Sequence, residues 1–392
     1  MSPEGLLSVA ATWSFWAAPP PPSIPRRIGL PHALRPDVAL VVQGVRRCGK
    51  STLLGQLIER YGLDPARCLF INFEDPRLAG SLGPEVLQEL VAAFEARCGT
   101  NDCVYFLDEI QRVEAWQRWL RVQLDRPTQR RFVVTGSNAH LLAGELGSSL
   151  TGRHLRVELF PFSLEEARRA VPALSVDDYL DAGGFPASLG SADGDALRRS
   201  YFNDIVERDV RERVAARSTA PLRQLTQMLF ESAGSELSIR RMAAALGVAP
   251  DTAALYVAAI EDAYLAFGCP YFAWSERKRS ARNRKYYPVD PGLRRVAVTQ
   301  GARDRGKQLE CATYILLRQR FDDVFYWRDR GEVDFVVLRD GVPIPIQVTW
   351  DQAAERHHKA LDAFYEAHPR SGEAVFVTAE DFSRGIPELG VD

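Results

Sequence analysis

The sequence predicts an α/β protein whose first domain is a parallel β-sheet covered by helices on both faces. From Val38 onward, short apolar runs alternate with segments of helical periodicity, which is typical of parallel strands joined by crossover helices. A glycine-containing loop with Lys50 and Ser51 follows the first apolar run, and two adjacent carboxylates, Asp108 and Glu109, follow a later one. Together they indicate the two halves of a nucleotide site.

The first half is the loop over residues 44–51, which fits the phosphate-binding pattern GxxxxGK[ST]. In such a loop, backbone N–H groups surround an anion and the next helix directs its positive dipole end at the phosphates. We expect Gly44 and Gly49 to allow a close backbone approach and Lys50 to reach the β- and γ-phosphates. Ser51 is expected to ligate Mg²⁺, with Thr52 beside it in the site. A chance match is the alternative, which the flanking strand and helix disfavour.

The second half follows the apolar run over residues 103–107. Asp108 is expected to hold Mg²⁺ through its water shell, and Glu109 to polarise the attacking water. The two carboxylates alone are equally compatible with capping the next helix. Downstream of a phosphate loop, the catalytic interpretation is favoured. Further strands are predicted over residues 68–73 and from Arg131.

Several motifs, taken in order, resemble a known family. They read GVRRCGKS, FLDEIQ, VVTGSNAHLL, LTGRHLRVELFPFS and GGFP. They are similar to those of prokaryotic AAA-type ATPases that carry a C-terminal domain of unknown function with a nuclease-like fold. The resemblance covers nearly the whole chain from Pro36 onward. It implies a P-loop ATPase core over residues 37–162, with ATP and Mg²⁺ as cofactors, working as a homo-oligomer, a ring of identical subunits.

The resemblance also implies residues that respond to the γ-phosphate. In ring-forming ATPases, which this sequence resembles, the strand beside the Asp-Glu strand ends in a polar sensor, and here Ser137 or Asn138 takes that place. An ordinary turn is the alternative. Arg153 is the candidate for a finger supplied to a neighbouring subunit, because a guanidinium neutralises charge that develops on the phosphoryl oxygens. Arg156 and Arg208 stay open as alternatives.

A helical connector is expected over residues 163–220, followed by a winged helix-turn-helix module over residues 221–300. Residues 238–260 read as helix, glycine-containing turn and helix, with Leu255, Ala259 and Ile260 predicted to pack inward. A β-hairpin with a basic tip is predicted next. Its basic residues, with no acid between them, are Arg277, Lys278, Arg279, Arg282, Arg284 and Lys285.

This local positive charge predicts contacts with nucleic-acid phosphates. The whole chain has 49 Lys+Arg against 51 Asp+Glu, a formal net charge of −2, so any such contact depends on a local patch. Tyr286 or Tyr287 is expected to stack on a base where strands are open. Paired helices are common in domains that bind nothing, and a charged loop is often only solvated. The combination favours DNA or RNA as the partner.

The segment over residues 301–392 resembles the restriction-endonuclease-like PD-(D/E)XK core. Active members hold Mg²⁺ on a helix Glu, an Asp and a Glu or Gln, and a lysine assists the attacking water. The matching acidic and amide residues are Glu310, Asp334 and Gln347. The lysine position is Thr349, and Lys359 on the following helix is the alternative. The resemblance therefore implies a degenerate nuclease-like domain with a structural or DNA-binding role.

The remaining features indicate an ordinary cytoplasmic protein. An apolar stretch over residues 6–18 lacks a basic flank and is broken by four prolines, so residues 1–36 are expected to form a tail or a loosely docked helix and not a signal. Six cysteines without metal-site spacing predict reduced core thiols. No apolar run approaches the length of a membrane span.

These observations predict an AAA-type ATPase that acts on DNA, as an oligomeric motor on duplex or branched DNA. The first alternative is an ATP-dependent switch that senses DNA or a protein partner without translocating. The second alternative is an ATP-regulated nuclease.

Overall fold

The computed structural model describes residues 2–78, 80, 82–137, 150–214, 218–299, 304–386 and 389. The chain divides into two compact units, residues 1–159 and 160–392. Each unit contains its own β-structure.

A parallel β-sheet forms the centre of the first unit, which confirms the predicted α/β core. Within the described residues, its five strands stand in the order β2-β3-β4-β1-β5. The strands are β1 Ala39–Gln43, β2 Cys68–Asn72, β3 Val104–Asp108, β4 Arg131–Gly136 and β5 His154–Glu158. The helices are α1 Pro3–Trp13, α2 Lys50–Arg60, α3 Pro84–Cys98 and α4 Trp116–Asp125. β1 and β3 are buried along their whole length, as is typical of strands covered on both faces.

The carboxyl ends of these strands meet at one edge of the sheet. Asn72 at the end of β2 pairs with Asp108 at the end of β3. Gln43 at the end of β1 pairs with Gly136 at the end of β4. The loop that follows β1 therefore lies at the same edge as the residues that follow β3 and β4.

The first residues of the chain belong to this unit, which corrects the expectation of a tail. α1 packs on the outer strand β2. Its buried residues are Leu6, Val9 and Ala10. The Trp13 indole N–H donates to Asp75 Oδ2 at 2.8 Å, and the Trp16 indole N–H donates to the Cys68 carbonyl oxygen at 2.7 Å. These aromatic and aliphatic side chains cover a strand that would otherwise be an open sheet edge.

Helices begin the second unit. They are α5 Leu164–Ala170, α6 Val176–Ala182, α7 Gly194–Asp204, the π-helical segment Ile205–Val210 and α8 Arg211–Val214. Asp290, about a hundred residues later in the chain, stabilises the turn after α6. Its Oδ2 accepts from the Gly184 N–H at 2.6 Å, and its Oδ1 accepts from the Leu293 N–H at 2.7 Å. Burial raises the pKa of Asp290 to about 6, against the backbone hydrogen bonds that lower it.

Three helices and a small antiparallel sheet follow. The helices are α9 Ala220–Glu231, α10 Ile239–Leu246 and α11 Pro250–Asp262. The strands are β6 Glu236–Leu237, β7 Ala266–Cys269 and β8 Arg284–Pro288. Among the described residues the sheet order is β6-β8-β7. Gly247, with a φ of 64°, makes the turn between α10 and α11, because this left-handed conformation costs glycine little.

The buried face of α11 differs in one residue from the prediction. Ala259 and Ile260 are buried as expected, whereas Leu255 is 53% exposed. The inward packing predicted for Leu255 is wrong, since Ala253 and Val257 provide the rest of the buried face.

The connection between β7 and β8 is less regular than the predicted hairpin. β7 ends at Cys269, directly before Pro270, which has no N–H to continue the ladder. A short helix, α12 Glu276–Ser280, interrupts the connection. β8 begins at Arg284, and Lys285 pairs with Cys269 on one side and Glu236 on the other. The prediction that Lys285 stands at a hairpin tip is therefore wrong.

A mixed sheet forms the last part of the second unit. Within the described residues its order is β12-β11-β10-β9, with β12 parallel to β11 and the other pairs antiparallel. The strands are β9 Val324–Arg328, β10 Glu332–Arg339, β11 Val342–Val348 and β12 Val375–Val377. The helices are α13 Pro291–Ala297, α14 Arg305–Arg320, α15 Glu355–Ala367 and α16 Ala379–Arg384.

The cysteines are all free, and five of the six are buried, with Cys98 partly buried, which confirms the prediction of unpaired core thiols. In the part of the chain that the structure describes, no single helix has the length and apolar composition to cross a membrane. α10 and α11 meet those criteria only as a pair, with a bend of 108° between them.

Candidate active site and neighbouring polar clusters

The loop over residues 44–49 lies between β1 and α2, and two glycines shape it. A Cβ on Gly44 would lie 2.0 Å from the Leu159 carbonyl oxygen, so a side chain has no room there. Gly49 has a φ of 101°, which other residues rarely adopt. α2 begins at Lys50, and no side chain caps its N-terminus. The first N–H groups of α2 therefore offer the donors that an anionic phosphate requires.

The Lys50 side chain is buried against this loop. Its Nζ donates to the carbonyl oxygens of Gly44 at 3.0 Å and Val45 at 3.3 Å. It also stands 3.8 Å from Glu109 Oε1. The loop backbone thus holds the ammonium between the helix N-terminus and the carboxylate that follows β3. In this place it can form charge-assisted hydrogen bonds with phosphate oxygens.

Asp108 is fully buried and accepts hydrogen bonds on both carboxylate oxygens. Oδ2 accepts from Ser51 Oγ at 2.7 Å and from Asn72 Nδ2 at 3.1 Å, and Oδ1 accepts from Thr135 Oγ1. Burial and the Glu109 carboxylate raise the pKa of Asp108, and the hydrogen bonds oppose that shift. The structure thus brings together Ser51 and Asp108, the two residues predicted to hold Mg²⁺. Their oxygen atoms fit this ion, which proteins bind with one or two carboxylates plus substrate phosphates.

Glu109 is held in an unusual backbone conformation. Its φ is 53°, a left-handed value that is uncommon outside glycine and marks functional sites. Its backbone N–H donates to Thr135 Oγ1 at 3.0 Å, and its carboxylate accepts from Gln111 Nε2. Together with Lys50, these contacts fix the direction of a carboxylate that is 8% exposed.

Asn72 and Thr135 are members of this cluster that the sequence analysis did not identify. Both stand on strands that neighbour β3, and both bind the Asp108 carboxylate. The available signal was a polar residue at or near the carboxyl end of a strand. Ser137, which follows Thr135 closely, is buried. Asn138, the other predicted sensor, lies outside the described residues.

Glu74, just after β2, links the phosphate loop to the turn behind Glu109. It pairs with Arg46 of the loop at 3.1 Å and with Arg112 at 2.8 Å. Burial alone would raise the pKa of Glu74, but the hydrogen bonds from both guanidinium groups lower it to about 2. The carboxylate is therefore ionised at neutral pH and joins the two segments through charge-assisted hydrogen bonds.

The geometry of this site agrees with the comparison with known families. Residues 37–168 match the family described as AAA domain. Two families of unknown function match the remainder, DUF8612 over residues 174–304 and DUF4143 over residues 305–389. The Uncharacterized protein Rv2008c of Mycobacterium tuberculosis is 30% identical over 338 residues, which cover 81% of this chain and 72% of that protein. The chain belongs to the same family as Rv2008c.

Relatives of the Rv2008c family occur in other bacteria and in archaea. An Uncharacterized protein of Haemophilus influenzae is 29% identical over 344 residues, 82% of this chain and 84% of that protein. The Uncharacterized protein MJ1544 of Methanocaldococcus jannaschii is 27% identical over 363 residues, 85% of this chain and 79% of that protein. The crystal structure of Cdc6p from Pyrobaculum aerophilum aligns with 62% of this chain and 83% of its own at 14% identity, with a TM-score of 0.28. That value is too low to carry a conclusion about fold or function.

The AAA domain match confirms the predicted AAA-type core and makes this member of the Rv2008c family ATPase-like. The C-terminal match confirms only that a domain of unknown function occupies the end of the chain. The winged-helix and nuclease-like interpretations stay predictions.

Arg153 of the AAA domain lies away from the nucleotide cluster of its own chain. It directly precedes β5, and its carbonyl oxygen accepts from the N–H of Ala39, the first residue of β1. This is the edge of the sheet opposite to the phosphate loop. Its Nη2 pairs with Asp125 Oδ1 at 2.5 Å, with the side chain 36% exposed. Of the alternative fingers, Arg156 pairs with Glu158 and Arg208 is exposed.

The basic segment before β8, defined as residues 277–285 and so including the first two residues of that strand, separates into exposed and buried residues. Those exposed are Arg277, Lys278, Arg282 and Arg284. Arg279 is tied back by Glu276 at 3.0 Å and the Ala273 carbonyl oxygen at 3.1 Å. Tyr286 and Tyr287 are fully buried, so the expectation that one of them stacks on a base is wrong. Trp274, which is 62% exposed, is an aromatic side chain of this segment that the sequence analysis missed.

The predicted degenerate nuclease residues come together on the floor of a cleft of about 560 Å³. Asp334 Oδ2 accepts from the Val348 N–H at 2.8 Å, and Gln347 Nε2 donates to the Glu332 carbonyl oxygen at 2.8 Å. Glu310 Oε1 accepts from the hydroxyl of Tyr287 at 2.6 Å. Burial and the Glu310 carboxylate raise the pKa of Asp334.

Lys285 enters this cluster, which the sequence analysis did not foresee. Its Nζ lies 2.5 Å from Glu332 Oε1 and 3.4 Å from Glu310 Oε1, with the side chain 1% exposed. Burial alone would lower the pKa of Lys285, but the neighbouring carboxylates outweigh burial and raise it. Lys359, the predicted substitute lysine, is 72% exposed and pairs with Glu355 at 2.7 Å.

The donor set of this cluster does not fit a resident Mg²⁺. Across the described ranges, no group of three or more His, Cys, Asp or Glu residues is arranged to hold a metal ion. Thr349 stands where a lysine would assist the attacking water. A cation is nevertheless present in the cluster, in the form of the Lys285 ammonium.

Proposed function

We propose that this protein is an ATP-hydrolysing AAA-type enzyme. The observation that carries the proposal is the cluster at the carboxyl edge of the first sheet. There Lys50, Ser51, Asp108 and Glu109 meet beside the uncapped N-terminus of α2. The family match over residues 37–168 supports the same conclusion.

Each side chain of the cluster has a separate role in this proposal. Lys50 and the first N–H groups of α2 bind the β- and γ-phosphates. Ser51 and Asp108 hold Mg²⁺, which neutralises charge on the phosphate oxygens when bound. Glu109 accepts a hydrogen bond from the attacking water and directs it at the γ-phosphorus. Its fixed backbone and its contact with Lys50 keep the carboxylate in place for that task.

The position of Arg153 supports completion of the site by a second copy of the chain. A guanidinium at the opposite edge of the sheet from the phosphate loop is too far to act on its own nucleotide, since β5 has five residues and spans about 16 Å. The same edge can face the phosphate loop of a neighbouring subunit in a head-to-tail ring. There Arg153 would replace its Asp125 partner with the γ-phosphate and act as the finger.

We further propose that the basic segment before β8 contacts the phosphates of DNA. Three helices and a sheet of order β6-β8-β7, with β6 between the first two helices, support the winged-helix interpretation. In this proposal the exposed arginines, Lys278 and Trp274 form the wing. α11 contains neither Lys nor Arg, so base-specific reading by that helix is not part of the proposal. Phosphate contacts and stacking by Trp274 predict binding with little sequence preference. We favour a protein that uses ATP hydrolysis to move along duplex or branched DNA.

A switch that senses a protein partner is the second candidate. The observation that favours it is the exposed side of α11, which carries Ala254, Leu255 and Ala258 and no basic residue. An apolar helix face of this kind is suited to protein contacts. An ATP-regulated nuclease is not proposed, because the acidic cluster of the C-terminal domain does not fit a metal.

The test is the rate of ATP hydrolysis with and without duplex DNA. Wild type is expected to turn over ATP and to be accelerated by DNA, whereas Lys50→Ala is expected to lose nucleotide binding. Arg277→Ala combined with Arg282→Ala and Arg284→Ala should keep the basal rate but lose acceleration. The slope of log affinity for DNA against log salt should fall by about 0.9 for each phosphate that the variant no longer neutralises.

The control replaces two exposed arginines outside the segment, Arg320→Ala with Arg370→Ala. Absence of hydrolysis in wild type overturns the enzyme proposal. Equal acceleration in the basic-segment variant and the control overturns the DNA site alone. Acceleration by a protein partner and not by DNA favours the switch.

A further inference from the structure

Lys285 of β8 lies where the C-terminal domain gathers its carboxylates. Its ammonium is 2.5 Å from Glu332 Oε1 and 3.4 Å from Glu310 Oε1. Asp334 is near enough to interact with it electrostatically. Although Lys285 ends a run of exposed basic residues, its own side chain is 1% exposed. Buried charges are found almost only where they are paired, and this lysine pairs with Glu310 and Glu332 beside the Asp334 carboxylate.

The surrounding packing fixes this arrangement. Tyr287, two residues further along β8, donates its hydroxyl to the same Glu310 Oε1 at 2.6 Å. Its ring stacks on Tyr314 of α14 with centroids 4.4 Å apart. Gly234 comes so close that an added Cβ would lie 2.7 Å from Glu310 Oε2. Three residues that precede the C-terminal domain in sequence thus close over one carboxylate of its helix α14.

The geometry points to Lys285 as the resident cation of this cluster, in place of a divalent metal ion. Mg²⁺ requires oxygen ligands at about 2.0–2.1 Å in octahedral geometry. The Lys285 ammonium already occupies the space between Glu310 and Glu332, and its charge repels a second cation at short range. The lack of a metal-binding group among the described His, Cys, Asp and Glu residues agrees with this.

Two consequences follow for the C-terminal domain. The cleft in front of the cluster is expected to hold no metal, although basic side chains also line it. These basic residues are Lys307, Arg330, Arg356 and Lys359. Lys285 also joins β8 to α14 and β10 through ion pairs with Glu310 and Glu332, so it links the small sheet to the C-terminal domain. This inference is independent of ATP hydrolysis.

Mn²⁺ binding to the full chain without nucleotide tests the inference. Titration followed by electron paramagnetic resonance counts the bound ions, and Asp334→Asn identifies those that depend on the cluster. Wild type and Asp334→Asn are expected to bind the same number of Mn²⁺ ions. Lys285→Met, which keeps an unbranched side chain one atom shorter and removes the charge, is expected to bind one ion more. That ion should be lost again when Asp334→Asn is added.

Lys278→Met is the matched control, because it removes a positive charge from the exposed part of the same segment and should gain no ion. In Lys285→Met alone, Mn²⁺ is expected to raise the melting temperature. The inference is overturned if wild type binds one Mn²⁺ ion more than Asp334→Asn does. A folded Lys285→Met that gains no ion overturns it as well. If Lys285→Met fails to fold, the comparison of wild type with Asp334→Asn decides the matter by itself.

Discussion

Replacing Thr135 with valine tests the hydrogen-bonding centre of the nucleotide site. Thr135 is fully buried. Its hydroxyl donates to Asp108 Oδ1 and accepts from the Glu109 N–H at 3.0 Å. One hydroxyl therefore holds both carboxylate residues that the proposed mechanism uses. Valine has nearly the same shape, so Thr135→Val removes these two hydrogen bonds without opening a cavity.

The expected loss of stability follows from the groups left without a partner. A buried group that loses its hydrogen bond costs about 1–3 kcal/mol, and more when the group is charged. Thr135→Val leaves one backbone N–H and one carboxylate oxygen of a buried aspartate in that state. The free energy of unfolding of the first unit should therefore fall by about 2–5 kcal/mol. Hydrolysis of ATP should also fall, because Asp108 and Glu109 lose their shared support.

Urea unfolding of the full chain measures the first effect, and the transition that ATP shifts to higher urea belongs to the unit that binds it. Thr135→Ser is the matched control, since it keeps the hydroxyl and removes one methyl group, at a cost of about 1 kcal/mol. The reasoning is refuted if Thr135→Val is as stable as Thr135→Ser and hydrolyses ATP at the same rate.

Two further predictions concern Arg153 and Asp290. Arg153→Ala should leave ATP affinity unchanged and lower the rate of hydrolysis in the assembled protein by about 10³-fold or more. An unchanged rate would indicate that Arg156 or Arg208 is the arginine finger, and alanine variants of these two residues test that. Because burial raises the pKa of Asp290 from 3.8 to about 6, the folded chain keeps a proton that the unfolded chain releases. The contribution of this group to stability therefore falls by about 2 kcal/mol as pH rises from 4 to 6. Asp290→Asn should remove that dependence, so a constant difference in unfolding free energy between wild type and variant across this range contradicts the assignment.

The residues of the predicted nucleotide site lie close together because they follow a rule of position. Lys50, Ser51 and Asp108 each stand at the junction of a strand and the next segment, and parallel strands bring such junctions to one edge. Asn72 and Thr135 obey the same rule but carry uncharged side chains without a motif around them. Their role depends on strand order, since only strands beside β3 reach Asp108.

The basic segment shows where sequence reasoning failed. Arg277 to Lys285 reads as one charged loop, but β8 starts within it, and the strand turns Lys285 into the interior. Its partners Glu310 and Glu332 follow later in the chain, so local charge could not reveal them. The choice between a tail and a docked N-terminal helix stayed open for a related reason. The prolines after it indicate a break in structure, whereas the burial of Leu6 and Val9 depends on the uncovered edge of β2.

The nucleotide bound to Glu109→Gln tests the central claim most directly. The experiment compares wild type with Glu109→Gln and Lys50→Ala. Each protein is incubated with ATP and Mg²⁺ and separated from unbound nucleotide. The bound nucleotide is then released with acid and identified by chromatography. We predict ADP on wild type, unchanged ATP on Glu109→Gln and no nucleotide on Lys50→Ala. Formation of ADP on Glu109→Gln at the wild-type rate, or loss of binding in both variants alike, would contradict the roles assigned to these two residues.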